Sequence, residues 1–172
     1  CGGGDGVRAK LPDAGQRVFG DFVDSRREAL VRLALLITRN WDEGEDAVQD
    51  ALASLYPRWT ELPAGPDLER YVNRAVVNAC LKRLRRTRTV PVAELEWLAA
   101  DDAGDPGSSV VLARHAWQLC AELAPTQRAA VVLRFYQDLS FADIAEVLGC
   151  GEATARSHVH RAVAALRARH QQ

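Results

Sequence analysis

Three groups of side chains in this sequence have types and spacings that could do chemistry, and in each the chemistry is non-covalent recognition. Asp42, Glu43, Glu45, Asp46 and Asp50 form an acidic run with no Lys or Arg among them. Tyr71, Arg74, Asn78, Lys82 and Arg85 follow one another at steps of three and four, which on a helix places an aromatic ring, an amide and three cations on one stripe. Such a stripe can hold a phosphate backbone, stack a base and read a base edge. Near the end of the chain, Arg156, Ser157, His160 and Arg161 stand outward of an apolar stripe, and from Ala153 onward there are four arginines and no acid. Catalytic arrangements are missing from the sequence: it has no P-loop, paired catalytic carboxylates, nucleophile elbow or metal-ligand spacing. His158 and His160 point to different sides of one helix. Cys1, Cys80, Cys120 and Cys150 are far apart, without a CxxC or a suitably spaced His, and read as incidental thiols rather than zinc ligands or a disulfide framework. No cofactor is expected.

The elements that must position these groups read as helices. Ser140 and Asp143 make a capping box, Ile144, Ala145 and Leu148 recur on one face, and Gly149 ends the segment. A second helix follows, with Ala155, Val159, Ala162 and Leu166 as its apolar stripe. Together they describe a helix-turn-helix with a polar reading face. Upstream, Phe19, Phe22, Val23, Leu30, Leu33, Ala34 and Ile37 mark an amphipathic helix closed by Asn40 and Trp41. Asp42 can cap a second helix, with Glu45 at the box position, Val48, Leu52 and Leu55 buried and Pro57 stopping it. Asp67 can cap a third, running to about Thr87, with Val72, Ala75, Val76, Ala79 and Leu84 inward.

Composition fits an all-α protein. The 172 residues are 48% hydrophobic, enough for one core or two small ones, and no strand signal stands out. Apolar runs are short and broken by charge, so no membrane span is expected, and the Gly-rich start lacks the apolar stretch of a signal peptide; a cytoplasmic location is expected. The formal net charge of -1 hides strong sorting. The acidic run is followed by a basic stretch over residues 70–88, and then by Glu94, Glu96, Asp101, Asp102 and Asp105 in a Gly/Pro/Ser-containing segment that reads as a flexible linker. The expected organisation is a tail at 1–16, a helical domain at 17–88, an acidic linker at 89–112 and a helix-turn-helix domain at 113–170.

Three phrases carry a family resemblance. WDEGEDAVQDALASLYPRW resembles the clamp-binding segment of bacterial sigma-70 factors, RYVNRAVVNACLKRLRRTR their segment for the minus-10 promoter element, and LAPTQRAAVVLRFYQDLSFADIAEVLGCGEATARSHVHRAVAALR their C-terminal promoter-binding domain. Two such domains without a middle domain, in a chain this short, resemble the extracytoplasmic-function group, and ALVRLALLIT and LYPRW look actinobacterial and SigE-like. Gly151 stands where the family usually has a Ser-type cap, and Cys150 and Ala155 replace larger apolar residues.

The resemblance implies a sigma factor that recognises the minus-10 and minus-35 elements, melts the promoter and initiates transcription, with no enzymatic activity of its own. It implies core-polymerase contacts at Asp42, Glu45, Asp46, Gln49 and Asp50, docked on an arginine-bearing coiled coil of the clamp. Minus-10 contacts fall on Tyr71, Arg74, Asn78, Lys82, Arg83, Arg85 and Arg86, with the loop 60–68 capturing an unstacked base. Minus-35 contacts fall on Thr154, Arg156, Ser157, His160 and Arg161. Implied partners are core RNA polymerase, through its clamp and flap, promoter DNA in double-stranded and melted form, and an anti-sigma factor. The competing reading is a stand-alone helix-turn-helix regulator, which would need neither the acidic run nor the Asn78 stripe.

Overall fold

A computed structural model of the chain describes residues 13–86 and 120–170; the acidic linker and the first twelve residues lie outside the described residues. Every long regular element within them is helical: α1 (Asp13–Thr38), α2 (Trp41–Leu55), a 3-10 turn (Tyr56–Glu61), α3 (Pro66–Arg86), α4 (Pro125–Phe135), α5 (Phe141–Leu148) and α6 (Glu152–His170). Helix α1 begins at Asp13 and so takes in the last residues of the expected tail.

The turn between α1 and α2 corrects the expected cap. Arg39 adopts a left-handed conformation at φ 60°, and Asn40, not Asp42, is the N-cap of α2, its side-chain oxygen accepting from the Glu43 backbone N–H at 3.0 Å. Arg39 turns the chain sharply enough to start α2 two residues earlier than a cap at Asp42 would. Asp42 then sits in the first turn, where a carboxylate favours the positive end of the helix. The same shift applies at α3, whose first residue is Pro66, following Gly65 at φ 68°. Asp67 is therefore inside the first turn rather than its cap.

Helices α1 and α2 pack closely because Gly44 is buried at their contact: a Cβ there would come within 3.3 Å of the Leu35 backbone nitrogen. On their inner faces Leu33, Ile37, Ala47, Val48, Ala51 and Leu55 are buried with Val72, Val76 and Cys80 of α3. Phe19 and Phe22 meet Trp59 edge to face, with centroids 4.9 and 5.1 Å apart, and so fix the 3-10 turn that contains Pro57 against α1.

In the second group the capping box of Ser140 and Asp143 forms as the sequence predicts. Gly149 is left-handed at φ 65°, and Cys150 N–H reaches the Ala145 carbonyl at 2.9 Å while Gly149 N–H bonds the Glu146 carbonyl, closing α5 in the Schellman pattern. Ala155, Val159 and Ala162 are buried as expected; Leu166, expected in the core, is only half-buried.

The two helical groups do not stand apart. A continuous hydrophobic cluster runs from Leu33, Ile37 and Val77 to Ala129, Leu133, Ile144 and Val147. Helix α3 carries an extra inward position on that side, Asn73, whose amide donates to Gln137 Oε1 at 3.3 Å.

Candidate functional site

Helix α2 keeps its apolar residues on one face, which leaves Asp42, Asp46, Gln49 and Asp50 exposed on the other. Glu45 is half-buried and accepts from Arg27 at 2.7 Å. The exposed row is therefore acidic with one amide, and Glu45, expected in it, is turned toward Arg27 instead.

On α3, burial of Val72, Val76 and Cys80 turns Asn78, Lys82, Arg85 and Arg86 out to solvent. Asn78, Lys82 and Arg86, spaced one turn apart, line an open groove of about 500 Å³ between α2 and α3, with Ser54 and Asp50 on its other wall. Tyr71 is half-buried, with the Arg58 guanidinium 5.7 Å from its ring centroid. Arg74 is half-buried and lies 3.6 Å from Glu146 of α5, while Arg70 lies 3.7 Å from both Asp67 and Asp143. The upper end of the stripe thus faces the helix-turn-helix, and its lower end is open. Of the loop expected at 60–68, Thr60 and Glu61 belong to the 3-10 turn and residues 66–68 to α3, so the open connection is only residues 62–65.

Arg83 is placed differently from the other cations. Its Nε donates to Glu43 at 2.7 Å, Nη1 to Asp50 at 2.9 Å and Nη2 to Asp46, so it sits on the acidic face of α2 instead of in the phosphate-holding row assigned to it from the sequence. These hydrogen bonds, led by that to Glu43, raise its pKa. The reason is register: one step from Lys82 rotates position 83 by about 100° toward α2.

In the C-terminal group Thr154, Arg156, His160 and Arg161 are exposed and Ser157 is half-buried on α6, beyond the buried Ala155, Val159 and Ala162. Arg156 is held on two sides: Nη2 donates to Glu152 at 2.9 Å, and the guanidinium lies 4.7 Å from the centroid of Phe141. Arg134 lies 5.4 Å from the same ring. The sequence reading missed Phe141, although its position just after the Ser140 cap already placed it in the first turn of α5. It also missed Arg128, Asn73 and Gln137, whose partners are far away in sequence.

Cys80 and Cys120 are not poised for reaction. Cys80 is buried and burial pushes it up to about 12; burial also raises Cys120. Among the described residues no group of three or more His, Cys, Asp and Glu could hold a metal ion, and no helix is long and apolar enough to cross a membrane.

An exposed acid row, an exposed amide and cation row, and a helix-turn-helix with its own cations match a known pair of sequence regions. Residues 22–90 match the model for sigma-70 region 2, and residues 116–166 the model for sigma-70 region 4. The RNA polymerase sigma-E factor of Streptomyces coelicolor is 32% identical over 151 residues, covering 87% of this chain and 84% of that one. The ECF (extracytoplasmic-function) RNA polymerase sigma factor SigM of Mycobacterium tuberculosis is 36% identical over 156 residues, covering 89% of this chain and 78% of its own. The chain belongs to the extracytoplasmic-function sigma factors. Among solved structures, the sigma factor RpoE of Bartonella quintana, in complex with the anti-sigma factor NepR, shares the fold with a TM-score of 0.67 at 20% identity, over 88% of this chain and 95% of that one. SigJ of Mycobacterium tuberculosis matches with a TM-score of 0.58 at 29% identity, over 86% of this chain and 53% of its own.

As a sigma factor, the chain gives RNA polymerase its promoter recognition and acts in promoter melting and transcription initiation. Its fold is all-α with two sigma-type helical domains, and its partners as a family member are RNA polymerase and promoter DNA. A stand-alone regulator is not favoured, because region 2 and region 4 occur together.

Proposed function

We propose that the exposed acids of α2 form the docking face for the polymerase clamp, and that the lower stripe of α3 and the outer face of α6 meet the minus-10 and minus-35 elements. The single observation that carries this reading is the segregation of sign. Asp42, Asp46, Gln49 and Asp50 are exposed on one helix, and Asn78, Lys82, Arg85 and Arg86 are exposed on the next. A basic partner surface is steered to the first row and a nucleic-acid strand to the second.

In this reading Asn78 acts on a base that has left the stack, while Lys82, Arg85 and Arg86 hold phosphates along the strand. The short connection at 62–65 and Tyr71 border the place where that base arrives. Arg74 reaches DNA only by leaving Glu146, an exposed pair that contributes little to stability. Arg156, Ser157, His160 and Arg161, with Thr154 at their edge, enter a major groove. Arg83, held on the acids of α2 in the free chain, is not one of these phosphate contacts there. We further propose the domain limits 17–88 and 113–170, the polymerase flap as the seat of the second domain, a cytoplasmic location and no catalytic activity. An anti-sigma partner is proposed by analogy with the complexed relative.

The test is reconstitution with core polymerase. Asp46→Lys with Gln49→Ala should weaken core binding in a chain that keeps its helicity, because exposed charges contribute little to stability. Asn78→Ala should bind core normally yet impair permanganate-detected opening. Unchanged core affinity in the first variant would remove the clamp assignment, and normal opening in the second would remove the role of Asn78.

A further inference from the structure

Arg83 bridges the two faces just assigned. Its guanidinium spends all three nitrogens on Glu43, Asp46 and Asp50, which lie on one face of α2, and it also lines the groove that holds Asn78, Lys82 and Arg86. The three acids are not equally enclosed. The Glu43 side chain is 24% exposed, against 53% for Asp46 and 64% for Asp50. The two outer carboxylates therefore keep oxygen atoms open to a second cation, while Glu43 is the inner anchor. Three carboxylates against one guanidinium leave the cluster with a net charge of about -2, which attracts a further cation without any rearrangement.

We propose that Arg83 couples polymerase docking to DNA-strand binding, being released from Asp46 and Asp50 toward the adjacent groove when a cation of the partner takes those two acids. This rests on the clamp reading of α2 given above. In the free chain the acids hold the Arg83 charge away from phosphate, and Asp50 on the groove wall repels the strand. A partner guanidinium that engages Asp46 and Asp50 removes two of the hydrogen bonds that hold Arg83 on α2 and neutralises the groove wall in the same step. Arg83 needs only to swing about its flexible stem, since Lys82 and Arg86 flank it on the same helix turn and already face the groove. Coupling of this kind is reciprocal: a strand in the groove that draws on Arg83 frees Asp46 and Asp50, and so tightens core binding by the same factor. An arginine suits the role because its planar fork can serve two carboxylates and a phosphate in turn, which a lysine ammonium cannot do with comparable grip.

The experiment is a mutant cycle on the full chain, with a fluorescently labelled single-stranded oligodeoxynucleotide of mixed sequence as probe and core binding measured in parallel. Asp46→Asn with Asp50→Asn mimics docking, and should raise strand affinity about fivefold or more, at the low end of coupling energies between sites. It should also steepen the salt dependence by about 0.7, the value for one added phosphate contact on a single strand. With Arg83→Ala added, most of that gain and the added slope should vanish, and the excess in the cycle is the coupling. If the gain is the same with Ala at position 83, the acids act only by general repulsion and the inference is overturned. Should the Ala variant lose its helicity, Arg83→Lys decides the matter. It keeps the charge without the three-way grip, so it should bind the strand more tightly than wild type; equal affinity overturns the inference. Loss of core binding by the wild-type chain would overturn the clamp reading and this inference together, whereas intact core binding with an additive cycle overturns this inference alone.

Discussion

Arg128 of α4 donates from Nη1 to the backbone carbonyl of Ile37 at 2.9 Å, so a side chain of the C-terminal group satisfies one of the orphan carbonyls at the end of α1. The same guanidinium holds the Leu123 carbonyl at 3.2 Å, and Arg128 as a whole is only 5% exposed. Burial, and next the Arg39 cation, push its pKa down to about 10, so it stays charged at neutral pH. A positive charge also complements the negative end of the α1 dipole. Arg128 therefore ties the turn before α4 to the end of α1, across the seam between the two sigma regions.

Replacing Arg128 with Met keeps much of the apolar stem but removes the donors. Each buried carbonyl left without a partner costs about 1–3 kcal/mol. The expected outcome is a lower denaturant midpoint, together with faster amide exchange at both the α1 end and the α4 start. Loss confined to the C-terminal group would mean that the contact to Ile37 contributes nothing.

The capping box predicts a pH dependence. Hydrogen bonding from Ser140, more than the nearby Arg70 charge, holds the Asp143 carboxyl below the usual carboxylate range. A lowered folded-state pKa means that the unfolded chain binds the proton more readily. The contribution is therefore complete above the ordinary Asp value of about 3.9, and is lost as pH falls through the lowered folded value. Asp143→Asn should flatten the acid limb of the stability curve measured by urea denaturation between these limits. Ser140→Ala should remove the same dependence and cost about 1 kcal/mol at neutral pH. An unaltered acid limb in both variants would contradict the box as its source.

Reading of the minus-35 element should depend on Phe141 as well as Arg156. A bidentate arginine contact to guanine is worth about 1–3 kcal/mol of discrimination, and Arg156 is held over Phe141 and against Glu152 before DNA arrives. Arg156→Ala should flatten the ranking of promoters that differ only in that element. Phe141→Leu, which keeps an apolar group without the aromatic face, should weaken binding with the ranking preserved. Identical ranking by wild type and an Arg156→Ala, Arg161→Ala double variant would show that α6 is not the reader.

What the sequence determined by itself was local. The Ser140 and Asp143 box, the Gly149 stop, the outward set on α6 and the exposed acids of α2 all follow from periods and caps that act within one helix turn, so residue types at fixed short spacing suffice to place them. The start of α2 was misread because the left-handed Arg39 made Asn40 the cap, a backbone choice that an Arg does not announce. Arg83 looked like one cation among several, because a basic run specifies its charge and not its direction. Only α2, packed alongside, gave it Glu43, 40 residues away in sequence. Arg128 and Ile37 are 91 residues apart, and Asn73 and Gln137 are 64 apart. Neither pair has a local signal, since a buried guanidinium or amide is tolerated only where folding brings a carbonyl to meet it. The tertiary structure alone decided that the two sigma regions share one core, because apolar residues declare that they will be buried but not against which helix.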